Sequence, residues 1–323
     1  MTVPITFACG IYDRTLPLFS GEVKPEGIDL TYKLVEDPRS LFDSMSGHLA
    51  YDASELSVSE YICRMDAGQC PFVAIPVFLS RLFRHGFIFI NKKSGIRAPK
   101  DIEGRRIGTP IYTSTAMVYI RAFLQHDYGV DLSTIRWVEG ELNNPGWHAD
   151  SATMPLLEPV AIEPNNSDKS LSKLLEDGEL DAVFSMSLPA CLGRNPDIAR
   201  LFPDYRAVET DYYRRTGIFP IMHLLAIRRD IHERHPFVAA SLYQAFCKAK
   251  TIAMDKLLRK GASLSMLPWA RAEAEAMQTL FGDDFWPYGV EPNRPTLEAL
   301  MTYLTEQSMI KAPLKVEDLF AKV

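Results

Sequence analysis

Residues 94–110 read SGIRAPKDIEGRRIGTP, and the elements around this stretch decide the fold class. Its last part, Arg106–Gly108, predicts a short strand, and the loop that follows leads into a predicted helix over Thr115–His126. Other strands are predicted over Ile5–Cys9, Ile28–Leu34, Phe72–Leu79, Gly86–Asn91, Ile135–Glu139, Ala182–Ser185 and Gly217–Arg228. Further helices are predicted over Ser40–Ser46, Val58–Asp66, Lys169–Asp177, Phe237–Leu258 and Pro268–Leu280. This alternation of strands and helices is typical of α/β proteins.

Length and charge exclude several classes of protein. The chain has 323 residues, enough for one large or two medium domains. Its net charge is −6, and it contains no run of five basic residues, so we expect no nucleic-acid partner. The apolar stretches Phe72–Leu79 and Ile218–Ile227 are shorter than the roughly 20 residues of a membrane helix, so no membrane partner is expected.

The cysteines and the first residues indicate a compartment. The five cysteines are odd in number and scattered, without a C-x-x-C motif, which predicts no disulfide framework and favours a reducing cytoplasm. The opening residues, MTVPITFACG, have neither a basic start nor a long apolar run, so a secretory signal is not expected.

Several motifs resemble known families. Residues 94–110 resemble the crossover stretch of periplasmic binding protein type II folds. Four other stretches resemble the 4,5-dihydroxyphthalate decarboxylase family: CGIYDRTLPL (residues 9–18), DASELSVSEY (52–61), IPVFLSRLFRHGFIFIN (75–91) and GIFPIMHLLAIRRDI (217–231). The resemblance implies a two-lobed α/β fold of the periplasmic-binding-protein type II kind, with mixed sheets joined by two crossover strands. Lobe 1 would contain residues 1–92 and 217–323, and lobe 2 residues 93–216.

The resemblance also implies a function. Members of this family convert 4,5-dihydroxyphthalate to protocatechuate and carbon dioxide in phthalate degradation. Such a carboxy-lyase acts on a small aromatic dicarboxylate and requires no organic cofactor, because the phenol of the substrate supplies the electrons. An alternative is a solute-binding protein for an anionic aromatic compound or a sulfonate. A third, an enzyme of the thiamine-precursor group on this fold, would need an iron site that the scattered Cys and His residues do not offer. Whether the protein forms a homo-oligomer is left open.

The candidate binding residues lie where predicted strands end, because ligands of open α/β sheets bind beyond the carboxyl ends of strands. Planar guanidinium groups can bind a carboxylate through two parallel hydrogen bonds, and hydroxyls before a helix can bind an anion. The substrate-binding candidates are Tyr12, Asp13, Arg14, Arg81, Arg84, Tyr112, Thr113, Ser114, Thr115 and Ser185.

The acid–base candidates are three histidines and one glutamate. His85 is the first choice as proton donor, because it follows Arg81 and Arg84 and precedes a strand. His148 lies in residues 143–167, which the length and composition predict to be a flap. His223 is another candidate, with a structural role in the apolar sequence PIMHLLA as the alternative. Glu55 would act as a base or hold a hydroxyl, unless it only stabilises the start of a helix. We predict no metal site, since His232 and His235 lack a third ligand and the H-E-x-x-H order.

Overall fold

The computed structural model describes residues 2–146, 155–259 and 266–323. The described residues form eleven strands: β1 (Val3–Cys9), β2 (Ile28–Leu34), β3 (Ala53–Ser57), β4 (Phe72–Arg81), β5 (Ile88–Asn91), β6 (Arg106–Thr109), β7 (Arg136–Glu139), β8 (Ile162–Pro164), β9 (Ala182–Phe184), β10 (Ile198–Arg200) and β11 (Ile221–Arg228). They also form ten α-helices: α1 (Leu16–Phe19), α2 (Pro38–His48), α3 (Val58–Asp66), α4 (Thr115–Tyr128), α5 (Leu171–Asp177), α6 (Tyr205–Thr216), α7 (Arg229–Arg234), α8 (Phe237–Arg259), α9 (Ala270–Phe281) and α10 (Arg294–Glu306). This mixture confirms the predicted α/β class.

The contacts divide the chain into two compact units. Unit 1 contains Met1–Arg81, His223–Leu297 and Leu314–Val323. Unit 2 contains Leu82–Met222 and Glu298–Pro313, so helix α10 contributes to both units. The domain boundaries that we derive from the family resemblance, at residues 92 and 216, do not include this exchange of α10, and they stay a prediction.

Unit 1 is built on a five-stranded mixed sheet with the order β2-β1-β3-β11-β4. Strand β1 runs parallel to β2 and β3, whereas β11 runs antiparallel to β3. Alternate residues of β1, among them Phe7, enter an apolar core together with residues of α8 such as Phe246. Because side chains alternate along a strand, this core face also carries the residues at the strand ends that are described below.

Unit 2 is built on a six-stranded mixed sheet with the order β10-β5-β9-β6-β7-β8. Strands β6, β7, β8 and β9 are parallel, and β5 is antiparallel to both β9 and β10. Gly108, in the stretch quoted first, lies in β6, where a Cβ atom would come 2.7 Å from a methyl group of Leu180. A glycine there lets β6 pack closely on its neighbours.

Helix boundaries follow local capping. Asp37 accepts a hydrogen bond from the Ser40 N–H at 2.9 Å at the start of α2, and Ser170 caps α5 in the same way. Asp204 caps α6, a helix that the apolar pattern did not predict. The predicted strand over Gly217–Arg228 begins only at Ile221, because Gly217, at a φ of 67°, ends α6.

Residues 143–167 were predicted to form a flap, but part of this segment is a strand of the sheet. Ile162–Pro164 forms strand β8, which pairs in parallel with β7 at the edge of the sheet. No helix among the described residues combines the length and the apolar character that crossing a membrane requires.

Candidate functional site

Strands β1, β3 and β11 bring three polar side chains to one edge of the unit 1 sheet. Cys9 and Glu55 lie near the carboxyl ends of the parallel strands β1 and β3. Antiparallel β11 pairs Leu225 with Glu55 and His223 with Ser57, so His223 is the diagonal neighbour of Glu55 on the same face. The register of β11 thus joins two residues that are 168 positions apart in sequence.

Glu55 is buried, with 1% of its surface exposed, and both of its carboxylate oxygens accept hydrogen bonds. Oε1 is 2.6 Å from His223 Nδ1 and accepts the hydroxyl of Tyr12 at 2.8 Å. Oε2 accepts the thiol of Cys9 at 3.1 Å. A buried carboxylate is costly unless donors or an opposite charge compensate it, and these three contacts do so.

The charge of this cluster is concentrated on Glu55. Burial alone would raise the pKa of the Glu55 carboxyl, but the facing His223 and hydrogen bonds from Cys9 and Tyr12 bring that pKa below its usual value. Burial first, and the Glu55 charge second, raise the pKa of the Cys9 thiol and that of the Tyr12 phenol. Cys9 and Tyr12 therefore remain protonated donors at neutral pH, while Glu55 is the ionised acceptor.

The imidazole of His223 has one nitrogen engaged and the other available. Nδ1 faces Glu55, whereas no residue in the described part of the chain forms a hydrogen bond with Nε2. The side chain is 18% exposed, and the ring of Phe42 packs edge-on against it with centroids 4.9 Å apart. An imidazole oriented by a carboxylate through Nδ1 can accept or donate a proton at Nε2.

Arg14 lies between two aromatic rings. Its guanidinium carbon is 4.3 Å from the centroid of Tyr12 and 4.2 Å from that of Trp286. Nε and Nη2 donate to the carbonyl of Leu79, and Nη1 donates to Asp13 at 3.1 Å. A guanidinium has about five N–H donors, so these three contacts leave two for an anion. Arg14 is therefore held in one orientation and keeps donors for a carboxylate.

Arg81 ends strand β4 and is also in unit 1. Its side chain is buried, and Nη1 donates to the carbonyl of Pro287 at 3.4 Å. Pro287 belongs to residues 284–289, here called the Trp286 segment. Both candidate arginines of unit 1 thus contact this segment, Arg14 through the indole ring and Arg81 through a backbone carbonyl.

Arg84 belongs to unit 2, where its guanidinium donates hydrogen bonds to a backbone carbonyl and to a sulfur atom. Nη1 donates to the carbonyl of Met186 at 3.2 Å, and Nε lies 3.3 Å from the sulfur of Met222. Burial lowers the pKa of the Arg84 guanidinium to about 10. Ser185, next to Met186, is fully buried, and its hydroxyl accepts the backbone N–H of Ser187 at 3.2 Å.

His85, the first choice as proton donor, is buried among aromatic rings in unit 2. It is 1% exposed and stacks on Phe123 with centroids 3.9 Å apart. Neither ring nitrogen has a hydrogen-bond partner among the described residues, and the nearest Glu209 oxygen is 4.0 Å from Nδ1. Burial first, and the charge of Arg215 second, lower the pKa of His85 to about 3. Such a ring is neutral at pH 7 and has no described group to pass a proton to.

The buried side chain of Arg121 packs against the loop before α4. Tyr112 is 7% exposed, and its ring lies under the guanidinium of Arg121 at 3.8 Å. Its N–H donates to Glu139 at 2.7 Å. Ser114 is the N-terminal cap residue of α4 by position, but its hydroxyl donates back to Ile111 at 2.9 Å instead of capping the helix. Its side chain is therefore already engaged in the loop.

The structure thus separates the candidate residues into two groups. Unit 1 contains Tyr12, Asp13, Arg14, Glu55, Arg81 and His223. Unit 2 contains Arg84, His85, Tyr112, Thr113, Ser114, Thr115 and Ser185, of which Thr115 begins α4 and is buried. His148 lies outside the described residues. The unit 1 group contains the close carboxylate–imidazole pair, so the geometry favours it as the centre of the chemistry.

The sequence reasoning missed two residues of the unit 1 cluster. Cys9 donates to Glu55, and its position as the last residue of a predicted strand was the available signal. Trp286 covers one face of Arg14, yet it lies far along the chain in a segment without a strand or helix pattern. Only the tertiary structure brings this indole to the arginine.

A metal cluster is not found in the described part of the chain, where no group of three or more His, Cys, Asp or Glu side chains could hold an ion. His232 and His235 lie at α7, where His235 follows the last helical residue and donates its N–H to the carbonyl of Ile231 at 2.9 Å. His235 therefore has a local role in ending this helix.

Two curated relatives bear the name 4,5-dihydroxyphthalate decarboxylase. The protein from Comamonas testosteroni is 34% identical over 317 residues, which cover 98% of this chain and 96% of that relative. The protein from Pseudomonas putida is 37% identical over 211 residues, which cover 65% of this chain and 81% of that relative. No family model matches the chain. The likeness to the first relative extends through both units.

Solved structures show the fold. The periplasmic aliphatic sulphonate binding protein SsuA from Escherichia coli aligns with a TM-score of 0.52 at 10% identity, covering 99% of this chain and 92% of that one. A mutant of DSZB in complex with biphenyl-2-sulfinic acid aligns with a TM-score of 0.52 at 14% identity, covering 99% of this chain and 97% of that one. At such identities the likeness concerns the fold alone, and it confirms the predicted periplasmic-binding-protein type II-like architecture.

Proposed function

The chain belongs to the 4,5-dihydroxyphthalate decarboxylase family, and we propose that it converts 4,5-dihydroxyphthalate to protocatechuate and carbon dioxide in phthalate degradation. The family makes it an enzyme of the carboxy-lyase class. The observation that carries the proposed chemistry is the 2.6 Å contact between His223 and the buried Glu55, which leaves Nε2 of the imidazole available. A protein that only binds a solute needs no such proton-transfer group.

The reaction sets three requirements. A carboxylate leaves an aromatic ring when the ring carbon that bears it is protonated, and a hydroxyl para to that carbon supplies electron density as it loses its proton. The carbon–carbon bond then breaks, carbon dioxide departs, and its electron pair restores the aromatic ring. The site therefore needs an acid near the ring carbon, a base near the phenol and a cation for the retained carboxylate.

In our proposal His223 transfers the proton, and Glu55 orients the imidazole ring of His223. Glu55 holds Nδ1, so that Nε2 gives a proton to the ring carbon and regains one from solvent after carbon dioxide has left. The ionised Glu55 lies 2.6 Å from Nδ1, so positive charge that forms on the ring during proton transfer has a negative group beside it. Cys9 and Tyr12 keep this carboxylate fixed by donating to its oxygens. The substrate phenol is the electron source, so these side chains need only transfer protons and hold charge.

Arg14 is the proposed grip for the retained carboxylate. Its ring sandwich and the Leu79 carbonyl fix the guanidinium plane, and two donors remain for a ligand. Planar donors of this kind match a carboxylate better than an ammonium does. Arg81 at the end of β4 is the second proposed cation, since a substrate with two carboxylates needs about two positive charges to offset its desolvation.

We also propose a cytoplasmic location for this enzyme. All five cysteines are free, and Cys9 serves as a thiol donor to Glu55. A reducing compartment would maintain this thiol.

The direct test is incubation of the purified protein with 4,5-dihydroxyphthalate, with detection of protocatechuate and carbon dioxide. In deuterium oxide, the product should carry one deuterium on the ring carbon that lost the carboxylate. Phthalate, which lacks the phenols, is the matched control and should bind without turnover. Tight binding of 4,5-dihydroxyphthalate with no product would contradict the enzyme and favour a solute-binding protein.

A further inference from the structure

We propose that Lys250 of α8 is a positioning residue for the carboxylate grip, acting on Arg14 and Arg81 through the Trp286 segment. This inference rests on the proposed function, since it concerns how the two arginines are held for substrate. It adds a residue that none of the sequence motifs indicated and that contacts neither arginine in the structure.

Lys250 is a buried charge with two specific partners. Only 7% of the residue is exposed, and its ammonium donates to the carboxylate of Asp284 and, at 3.0 Å, to the backbone carbonyl of Trp286. The ammonium also lies 4.9 Å from the ring centroid of Tyr288. Buried ammonium groups are tolerated only when such partners compensate them. All three partners belong to the Trp286 segment, so this lysine fastens the segment to the long helix α8.

The same segment is fastened to strand β4. The indole N–H of Trp286 donates to the carbonyl of Phe78 at 2.8 Å, and the N–H of Gly289 donates to the carbonyl of Pro76 at 2.8 Å. Gly289 has a φ of 90°, a conformation that favours glycine. The segment is therefore fixed to strand β4 by its own donors and to helix α8 by Lys250.

This arrangement gives the segment a direct influence on both arginines. The Trp286 indole covers one face of the Arg14 guanidinium at 4.2 Å, and the Pro287 carbonyl accepts from Arg81. If Lys250 no longer holds the Trp286 backbone, the indole and the carbonyl lose one of their supports. Binding geometry is sensitive to displacements of about 1 Å, so the grip on the carboxylates should weaken. His223 and Glu55 are held by their contact with each other, which involves no residue of the segment, so the chemical step should be spared.

The experiment compares three full-length variants. Lys250→Met removes the charge and keeps an unbranched side chain, and Lys250→Arg keeps donors for both partners. Lys256→Met alters a partly exposed lysine of the same helix that pairs with Glu22. For each variant, kcat and KM for 4,5-dihydroxyphthalate and the calorimetric Kd for phthalate are measured. We expect Lys250→Met to raise KM and Kd about tenfold or more, with kcat within about threefold. Lys250→Arg should recover most of the affinity, and Lys256→Met should match the wild type.

A purely structural role would give a different result. If Lys250→Met lowers only the melting temperature and leaves KM and Kd at wild-type values, the positioning role is overturned. Should that variant not fold, Asp284→Asn loosens the same tether at a half-exposed position, and unchanged KM and Kd in this variant overturn the role equally. A wild-type protein that neither binds phthalate nor turns over 4,5-dihydroxyphthalate would instead contradict the proposed function itself.

Discussion

Two candidate histidines, one in each unit of this chain, lie beside a glutamate, and these two pairs differ in every respect that matters for proton transfer. In unit 1, His223 and Glu55 are 2.6 Å apart. In unit 2, His85 and Glu209 are 4.0 Å apart. The pKa of Glu55 is lowered because His223 and other donors outweigh its burial. Burial instead raises the pKa of Glu209 to about 7 and lowers that of His85 to about 3.

The comparison shows that the ionisation of a buried carboxyl depends on the donors that contact it. Glu55 is the more deeply buried of the two carboxyls, yet it remains ionised because an imidazole, a phenol and a thiol donate to it. Glu209 accepts the backbone N–H of Gly86 at 3.1 Å, but this contact does not offset its desolvation. The first pair can hold and exchange a proton. In the second pair the imidazole stays neutral at pH 7, and the carboxyl is protonated only below about pH 7.

The largest expected effect concerns the unit 1 pair. His223→Asn should lower kcat about 10²–10⁴-fold, because an amide can occupy the position of the imidazole ring but cannot transfer a proton. Glu55→Gln should lower kcat as well, since the ring loses its charged anchor. Both variants should change KM much less than kcat in steady-state assays with 4,5-dihydroxyphthalate. A near-normal kcat in His223→Asn would contradict the proposed role of His223 in proton transfer, and His148 would be tested next.

The second prediction contrasts an arginine of each unit. Arg14→Ala should cost about 2–4 kcal/mol in kcat/KM, the range for removing a charged partner from a dry site. Arg14→Lys should recover only part of this loss, because the planar donors are absent. Arg84 donates to the Met186 carbonyl in unit 2, so Arg84→Met should affect stability while kcat/KM stays within about threefold. Wild-type kinetics in Arg14→Ala would remove the proposed grip.

The third prediction is a pH dependence of stability in unit 2. The pKa of Glu209 rises from 4.5 in the unfolded chain to about 7 in the fold, so the folded state binds more protons between these values. Stability from this group is therefore complete below pH 4.5 and is lost as the pH rises through 7, by up to about 3 kcal/mol. Glu209→Gln should lack this loss in urea unfolding at pH 5 and pH 8.

A control for that experiment lies on the same helix. Asp211 is exposed and pairs with Arg215, so Asp211→Asn should keep the pH dependence of the wild type. If Glu209→Gln and the wild type lose the same stability between pH 5 and pH 8, the Glu209 carboxyl is ionised throughout, and the contrast between the two pairs disappears.

Part of this arrangement could be predicted from the sequence, because part of it is local. The bounds of β2 and α3 agree with the pattern of apolar residues, whereas Glu55, which we expected in a turn beyond a strand, lies inside strand β3. The resemblance of the quoted motifs also predicted the family, which the relative from Comamonas testosteroni confirms, and the periplasmic-binding-protein type II-like fold, which the solved structures confirm. These features depend on neighbouring residues or on similarity along the whole chain.

The choice between the histidines could not be made in this way. The preference for His85 was based on the order of Arg81, Arg84 and His85 along the chain. Nothing in that order shows that Phe123 stacks on the His85 imidazole. The partner of His223 depends on the register between β3 and β11, strands that are far apart in sequence. Residues brought together by such pairing leave no periodic signal, which is also why Trp286 was missed.

The smallest expected effect, and the one that decides between the two histidines, is that of His85→Phe. Both ring nitrogens of His85 are buried without hydrogen bonds, so a phenyl ring removes two unsatisfied polar atoms and keeps the stacking on Phe123. This gain should offset the larger volume, and the free energy of unfolding at pH 7 should change by less than about 1 kcal/mol. In the wild type, the His85 pKa of about 3 lies below its unfolded value of 6.5, so stability is lost as the pH falls from 6.5 towards 3. The variant should lack that loss in urea unfolding and should keep kcat within about threefold. A folded His85→Phe protein without decarboxylase activity would return the proton-donor role to unit 2.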